Sequence, residues 1–223
     1  MIISHRNKFI FIKTRKTAST SVEVFLHQNL AENDVWTPLS DPKVLGNNYY
    51  SSWPVDFAAA KSKYIRRKLG KVSPLYFRYL HDHSSLLDFY KGYGAKKFAP
   101  YFKFCFDRNP WNYVVSLYYY ETRKRNNREC DFDEFIRTFP IPVNWQKYTI
   151  EDQIAVDAVF RYEDLESSIN GIVKRLDLIR GELQIRKSSW RSTKDYRNYY
   201  TTSTKDLIAS KFSHVIDYLG YEF

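Results

Sequence analysis

At 223 residues the chain has room for one domain with an ordinary core and little for a second, so residues 1–223 are read as a single domain. A net charge of +10 and a sequence pI near 9.4 point to polyanionic partners such as a nucleotide, an acidic glycan or a nucleic acid. Only two cysteines, Cys105 and Cys130, are present, which excludes a disulfide framework, and no run of eighteen apolar residues or signal-length apolar N-terminus occurs, so a cytoplasmic protein without a membrane span is expected.

Phe9-Ile10-Phe11-Ile12 is a run of strand formers that predicts a strand buried on both faces. After it come Lys13, Thr14, Arg15, Lys16, Thr17, Ala18, Ser19, Thr20 and Ser21, and then Val22, Phe25, Leu26 and Leu30 at helical spacing. A strand thus passes through a basic, hydroxyl-rich loop into a helix. The helix N-terminus offers unpaired N–H groups and the positive end of its dipole, the cations add full charge, and the hydroxyls add donors, which together suit a phosphate. The loop lacks the glycines of G-x-x-x-x-G-K-[ST], so it is not the nucleotide-binding loop of that name. From about Asn33 to Tyr79 prolines and mixed charge interrupt any period, and this stretch is expected to pack outside the sheet as an insertion, its basic run Lys61 to Lys71 forming a solvated face.

His81 and His83 stand in an H-x-H pair, whereas His5, His27 and His214 are isolated and read as structural or exposed. A zinc site is the competing reading of the pair, but no neighbouring Cys or carboxylate cluster has ligand spacing. A second strand, Lys103-Phe104-Cys105-Phe106, runs into Asp107-Arg108-Asn109-Pro110-Trp111 and a helix carrying Val114, Val115, Leu117 and Tyr118. Asn109 suits the N-cap, Pro110 the first helical position, and Ser116 falls on an early turn. In an open parallel sheet this strand end would lie beside the first loop, where ligands bind, and two phosphate-seeking loops imply a ligand with two phosphate groups. A third strand at Ala158 to Phe160 leads into Arg161, Glu163 and Asp164, read as capping and pairing at the sheet edge, and then a helix with Leu165, Ile169, Ile172, Val173 and Leu176 on one side. Leu207, Ile208, Phe212, Val215 and Leu219 predict one amphipathic C-terminal helix. The fold class is therefore α/β, a P-loop-like three-layer arrangement with a central parallel sheet between helices.

The stretches KTRKTASTS and FDRNPWNYVVSLYYY resemble the 5′-phosphosulfate and 3′-phosphate motifs of sulfotransferases that use 3′-phosphoadenosine 5′-phosphosulfate (PAPS), most closely the heparan sulfate 2-O-sulfotransferase-like carbohydrate branch. Tyr79 to Phe89 is similar to the H-x-H segment of that branch, and Phe160 to Leu165 to a segment common in the family. The resemblance implies that Lys16, Thr17, Ala18, Ser19 and Thr20 surround the 5′-phosphosulfate and that Lys16 stabilises the leaving phosphate; the loop chemistry itself adds Lys13 and Arg15 as further charges and Ser21 as a further donor to the same anion. It implies that Arg108 and Ser116 grip the 3′-phosphate, that Arg186, Ser188 and Arg191 belong to a basic loop over the nucleotide, and that His83 is the base with His81 in support. A histidine of ordinary pKa about 6.5 is mostly neutral near pH 7 and basic enough to take a proton from a hydroxyl. Arg15 stands where the family usually has proline. The expected reaction moves a sulfuryl group from PAPS to a hydroxyl acceptor, a glycan or glycolipid, releasing 3′-phosphoadenosine 5′-phosphate (PAP), with no metal and no nucleic acid involved. The rival readings are a P-loop-type phosphoryl-transfer enzyme and a basic nucleic-acid-binding protein.

Overall fold

The computed structural model describes residues 1–36, 83–125, 130–183 and 195–223. Its centre is a five-stranded sheet of β1 (Ile2–Ser4), β2 (Phe9–Ile12), β3 (Val35–Trp36), β4 (Phe102–Asp107) and, after a separate hairpin, β7 (Ala158–Arg161), in the order β3-β1-β2-β4-β7. The hairpin pairs β5 (Thr149–Ile150) with β6 (Gln153–Ile154). Strands β2, β4 and β7 run parallel, with Phe11 opposite Phe104 and Phe106 opposite Phe160. They are the three strands read from the sequence.

Two short strands depart from that reading. β1 is antiparallel to β2, and β3 is antiparallel to β1, so the sheet is mixed at one edge and Val35–Trp36 joins it instead of packing outside. Three and two residues are too short to show a period, and their register is held by a side chain instead. Buried Asp34 accepts from the Ser4 hydroxyl at 2.8 Å, the His5 N–H at 2.6 Å and the Ala31 N–H at 2.9 Å, which ties the β1–β2 turn to the segment entering β3. The remainder of the insertion, with its basic run, lies outside the described residues.

Side chains alternate across the sheet and make two cores. On one face Ile2, Phe9, Phe11, Phe104 and Phe106 pack beneath α1 (Ser19–His27) and α6 (Leu165–Leu176). On the other, Ile3, Ile10, Ile12 and Cys105 meet α2 (Leu86–Tyr93), α3 (Pro110–Tyr119), α4 (Phe132–Thr138), α5 (Trp145–Tyr148), α7 (Thr202–Lys211) and α8 (Ser213–Leu219). The result is the expected three-layer α/β fold. Burial pushes the Cys105 thiol well up.

The single C-terminal helix read from the apolar period is two helices. Phe212 leaves helical geometry at φ −111°, ψ 19° and packs its ring in the core against Tyr113, which separates α7 from α8. Among the described residues no helix is long and apolar enough to cross a membrane.

Phe104 is the centre of the first core. Its ring lies 5.5 Å from those of Phe11 and Phe102, 6.0 Å from Phe9 and 6.2 Å from Phe160, and it is fully buried. Phe104→Ala is expected to cost about 3–5 kcal/mol, because strands on either side cannot collapse into the space, and urea unfolding should show it as a lowered midpoint with unchanged slope.

Candidate active site

Strand β2 ends in a loop whose shape the sequence does not announce. Lys16 and Ala18 take left-handed conformations, φ 60° and 52°, while Thr17 between them does not. Each such residue with a Cβ costs about 1–2 kcal/mol, and backbone strain of this kind gathers at ligand clamps. Alternating hands turn successive N–H groups toward one concavity, the geometry that holds anions. The glycine-free loop thus reaches a cradle through strained ordinary residues. Helix α1 begins immediately beyond, with Ala18 at its N-cap, no side-chain cap and no acidic residue in its first turn. Side chains of Ser85, Asn109, Asp131 and Thr201 cap α2, α3, α4 and α7, whereas α1 shares its uncapped start with α5, α6 and α8 and differs in the loop that precedes it. An uncapped, acid-free N-terminus behind a cradle fits a phosphate or phosphosulfate.

The predicted loop residues divide by where they point. Ser19 is buried at the first helical position, and Thr20 and Ser21 are half-buried in the same turn. The Thr17 hydroxyl turns inward to Thr14 at 2.8 Å, and Thr14 in turn donates to the Phe106 carbonyl, stitching the loop to β4. Lys13 is 3% exposed and its ammonium lies 2.7 Å from the Glu23 carboxylate on α1. The ion pair sits under the loop and fastens it to the helix. Lys16 stays at the surface of the cradle, its Nζ 4.3 Å above the Tyr120 ring.

Arg108 leaves the end of β4 and spans the neighbouring segments. Its guanidinium donates to the Lys16 carbonyl at 3.1 Å and to Asn112 Oδ1 at 2.9 Å, and stacks 4.3 Å from the Tyr162 ring. Asn112 and Ser116 follow at intervals of four on one face of α3, and Tyr120, four further on, opens the π-helical turn Tyr120–Arg125 beyond it with its ring under Lys16. The two motifs that sequence reading placed side by side are therefore in direct contact. Glu163 accepts from the Asn109 N–H at 3.0 Å and from the Tyr221 hydroxyl at 3.0 Å, which is the capping role expected of it.

His83 sits at the root of the loop, its Nδ1 2.9 Å from the Lys13 carbonyl oxygen. A carbonyl only accepts, so Nδ1 carries the proton, and the neutral ring is left with its lone pair on Nε2. His81, Arg186, Ser188 and Arg191 lie outside the described residues, as do the side chains of the basic stretch 123–128.

A buried group missed by sequence reasoning holds these parts together. Asp107, the last residue of β4, accepts from the Arg108 N–H at 2.8 Å, the Asn144 amide at 3.1 Å and the Tyr148 hydroxyl at 2.6 Å. Asn144 also accepts from the Arg15 N–H at 2.9 Å and donates to the Arg15 carbonyl at 3.1 Å. The available signal was an acid closing an apolar strand, since such a group needs donors around it. Its partners, far along the chain, gave none.

The description "Sulfotransferase family" belongs to the family profile that matches residues 1–218. The chain belongs to the sulfotransferase family. A protein of Archaeoglobus fulgidus, named only as uncharacterized, is 38% identical over 90 residues, covering 38% of this chain and 75% of that protein. No solved structure gives a significant match. Membership places the chemistry in sulfuryl transfer to a hydroxyl acceptor, and across the family the donor is PAPS.

The electrostatics of this sulfotransferase follow from burial. Desolvation pushes Asp107 up to about 6 against the lowering effect of its three hydrogen bonds, so it is a carboxylate at neutral pH. Lys147, on α5, is lowered first by burial and then by the charge of Arg15, which marks a second cation close to the loop. Because the folded protein holds the Asp107 proton more tightly than the unfolded chain, this group's contribution to stability is greatest below about pH 4 and falls as pH rises to about 6. The stability of wild type minus that of Asp107→Asn should decline over that window and then level off, as chemical unfolding across pH will read; a difference that rises with pH would contradict the burial argument.

Proposed function

We propose that this protein transfers a sulfuryl group from PAPS to a hydroxyl of a carbohydrate acceptor, with His83 as general base. The observation that carries the reading is the hydrogen bond from His83 Nδ1 to the Lys13 carbonyl, which puts a base of defined tautomer against the loop that suits the phosphosulfate. The cradle fits that group through the left-handed pair at Lys16 and Ala18, the uncapped start of α1 and the Lys16 ammonium. Arg108 and Ser116 are assigned the 3′-phosphate, Arg108 trading bonds now made to Lys16 and Asn112.

When bound, PAPS supplies sulfur activated by a phosphate leaving group: the acceptor oxygen forms the new S–O bond and the bridging S–O bond to phosphate breaks. His83 Nε2 takes the acceptor proton as that oxygen attacks, and its Nδ1–H, held by the Lys13 carbonyl, keeps the ring aimed while it becomes a cation. Lys16 places positive charge where negative charge develops on the departing phosphate. The dipole of α1 and the hydroxyls of Ser19, Thr20 and Ser21 hold the group in place and contribute little that distinguishes the transition state. A sugar acceptor is favoured by the resemblance to the carbohydrate branch, and the net charge of +10 suits one that is itself anionic.

Two variants separate the roles. His83→Ala should lower kcat by about a hundredfold to ten-thousandfold while leaving PAP affinity within about twofold, and Lys16→Ala should lower kcat by about a hundredfold to a thousandfold and weaken PAP as well. Transfer from radiolabelled PAPS to a panel of anionic oligosaccharides, with calorimetry of PAP, gives both numbers. Full activity in His83→Ala would move the base to His81 or elsewhere.

A further inference from the structure

Asn144 is the N-cap residue of α5, yet its side chain does not cap that helix. An asparagine at this position ordinarily accepts from its own helix, as Asn109 does on α3. Here the amide is diverted. Its oxygen accepts the Arg15 N–H and its nitrogen donates to the Arg15 carbonyl, so one side chain grips both backbone polar groups of one residue, as a neighbouring strand would. The same nitrogen reaches Asp107 Oδ1, which also receives the Arg108 N–H, while Tyr148 holds the other carboxylate oxygen. Asn144 is 3% exposed and Asp107 also 3%, so these bonds are shielded from competing water.

Arg15 directly precedes the left-handed Lys16. A loop that uses ordinary residues in left-handed geometry relaxes unless its surroundings over-determine it. On one side the Lys13–Glu23 pair fixes it, and on the other Asn144 does. The Asp107 carboxylate then sets where Asn144 stands relative to the backbone of Arg108. The loop and the Arg108 segment are connected through the Arg108 guanidinium on Lys16 and, independently, through this buried carboxylate and amide.

We infer that Asp107 and Asn144 form a positioning pair that holds the strained loop in its anion-receiving shape and fixes its spacing from Arg108, so that both ends of one bisphosphorylated nucleotide are met together. The inference rests on the proposed donor. Neither residue touches the reacting atoms, and both act through Arg15 and Arg108.

The test uses the full chain, with PAP and 3′-AMP as probes, since 3′-AMP keeps the phosphate assigned to Arg108 and lacks the one assigned to the loop. Asn144→Ala should weaken PAP on the order of tenfold and leave 3′-AMP within about twofold. Hydrogen exchange at the Arg15 amide should accelerate in the same variant without any ligand. Tyr148→Phe, which removes one bond to Asp107 and keeps the ring, should shift PAP in the same direction by less. Equal weakening of both nucleotides would reduce Asn144 to a general structural role, and an unchanged PAP affinity with unchanged Arg15 exchange would overturn the pair outright. Faster Arg15 exchange in a protein whose wild type binds no PAP would support the grip on the loop and sink the donor reading separately.

Discussion

The carboxyl end of the sheet depends on one buried charge. Asp107 ends the central strand β4 in a place without solvent, and the protein answers with three donors: the Arg108 N–H, the Asn144 amide and the Tyr148 hydroxyl. Each donor carries a different segment. Through them the arginine assigned to the 3′-phosphate, the loop assigned to the 5′ end and the short helix α5 are drawn to a common point, and Tyr221 brings the C-terminal tail to the Asp107 carbonyl at 3.1 Å. Removing the carboxylate would leave donors buried without partners, so the arrangement is stable only as a set.

That constraint explains how the loop holds its left-handed turns without glycine. In a glycine-rich loop the left-handed turns cost little, and the backbone can find its shape alone. Here Lys16 and Ala18 adopt those turns at a cost that the surroundings offset, by Lys13 bound to Glu23 beneath and Asn144 bound to Arg15 beside. The use of a side chain in place of glycine also puts a cation at the cradle, at Lys16, the charge proposed for the leaving side. The hydrogen bond from His83 to the Lys13 carbonyl connects the proposed base to the same loop, so donor and acceptor chemistry share one frame.

The parts legible in the sequence were those whose cause is local. Phe9 to Ile12 and Lys103 to Phe106 read as strands because a buried parallel strand needs an unbroken apolar run, and Asn109-Pro110 marked α3 because cap chemistry is confined to adjacent residues. Strand-end position and helical spacing placed Arg108 and Ser116 along the chain, and the structure brings Arg108 onto Asn112 and the Lys16 carbonyl. β1 and β3 escaped because strands of three and two residues show no period. The break at Phe212 escaped because an apolar period continues across it while the backbone does not. Asn144 was invisible for a different reason: its partner Arg15 lies 129 residues away, and nothing around Asn144 reports that its side chain serves a distant loop instead of its own helix. The pairing of Lys13 with Glu23 was invisible for a related reason, since only the fold decides which partner a lysine meets.

The central claim is that one nucleotide bearing phosphates at its 3′ and 5′ ends is held between the loop and Arg108. Calorimetry of wild type and Arg108→Ala with PAP, 5′-AMP and ATP tests it most directly. The account predicts tight binding of PAP, far weaker binding of 5′-AMP and ATP, and loss of the PAP preference in Arg108→Ala. A wild type that prefers ATP, or that binds PAP and 5′-AMP alike, would contradict it.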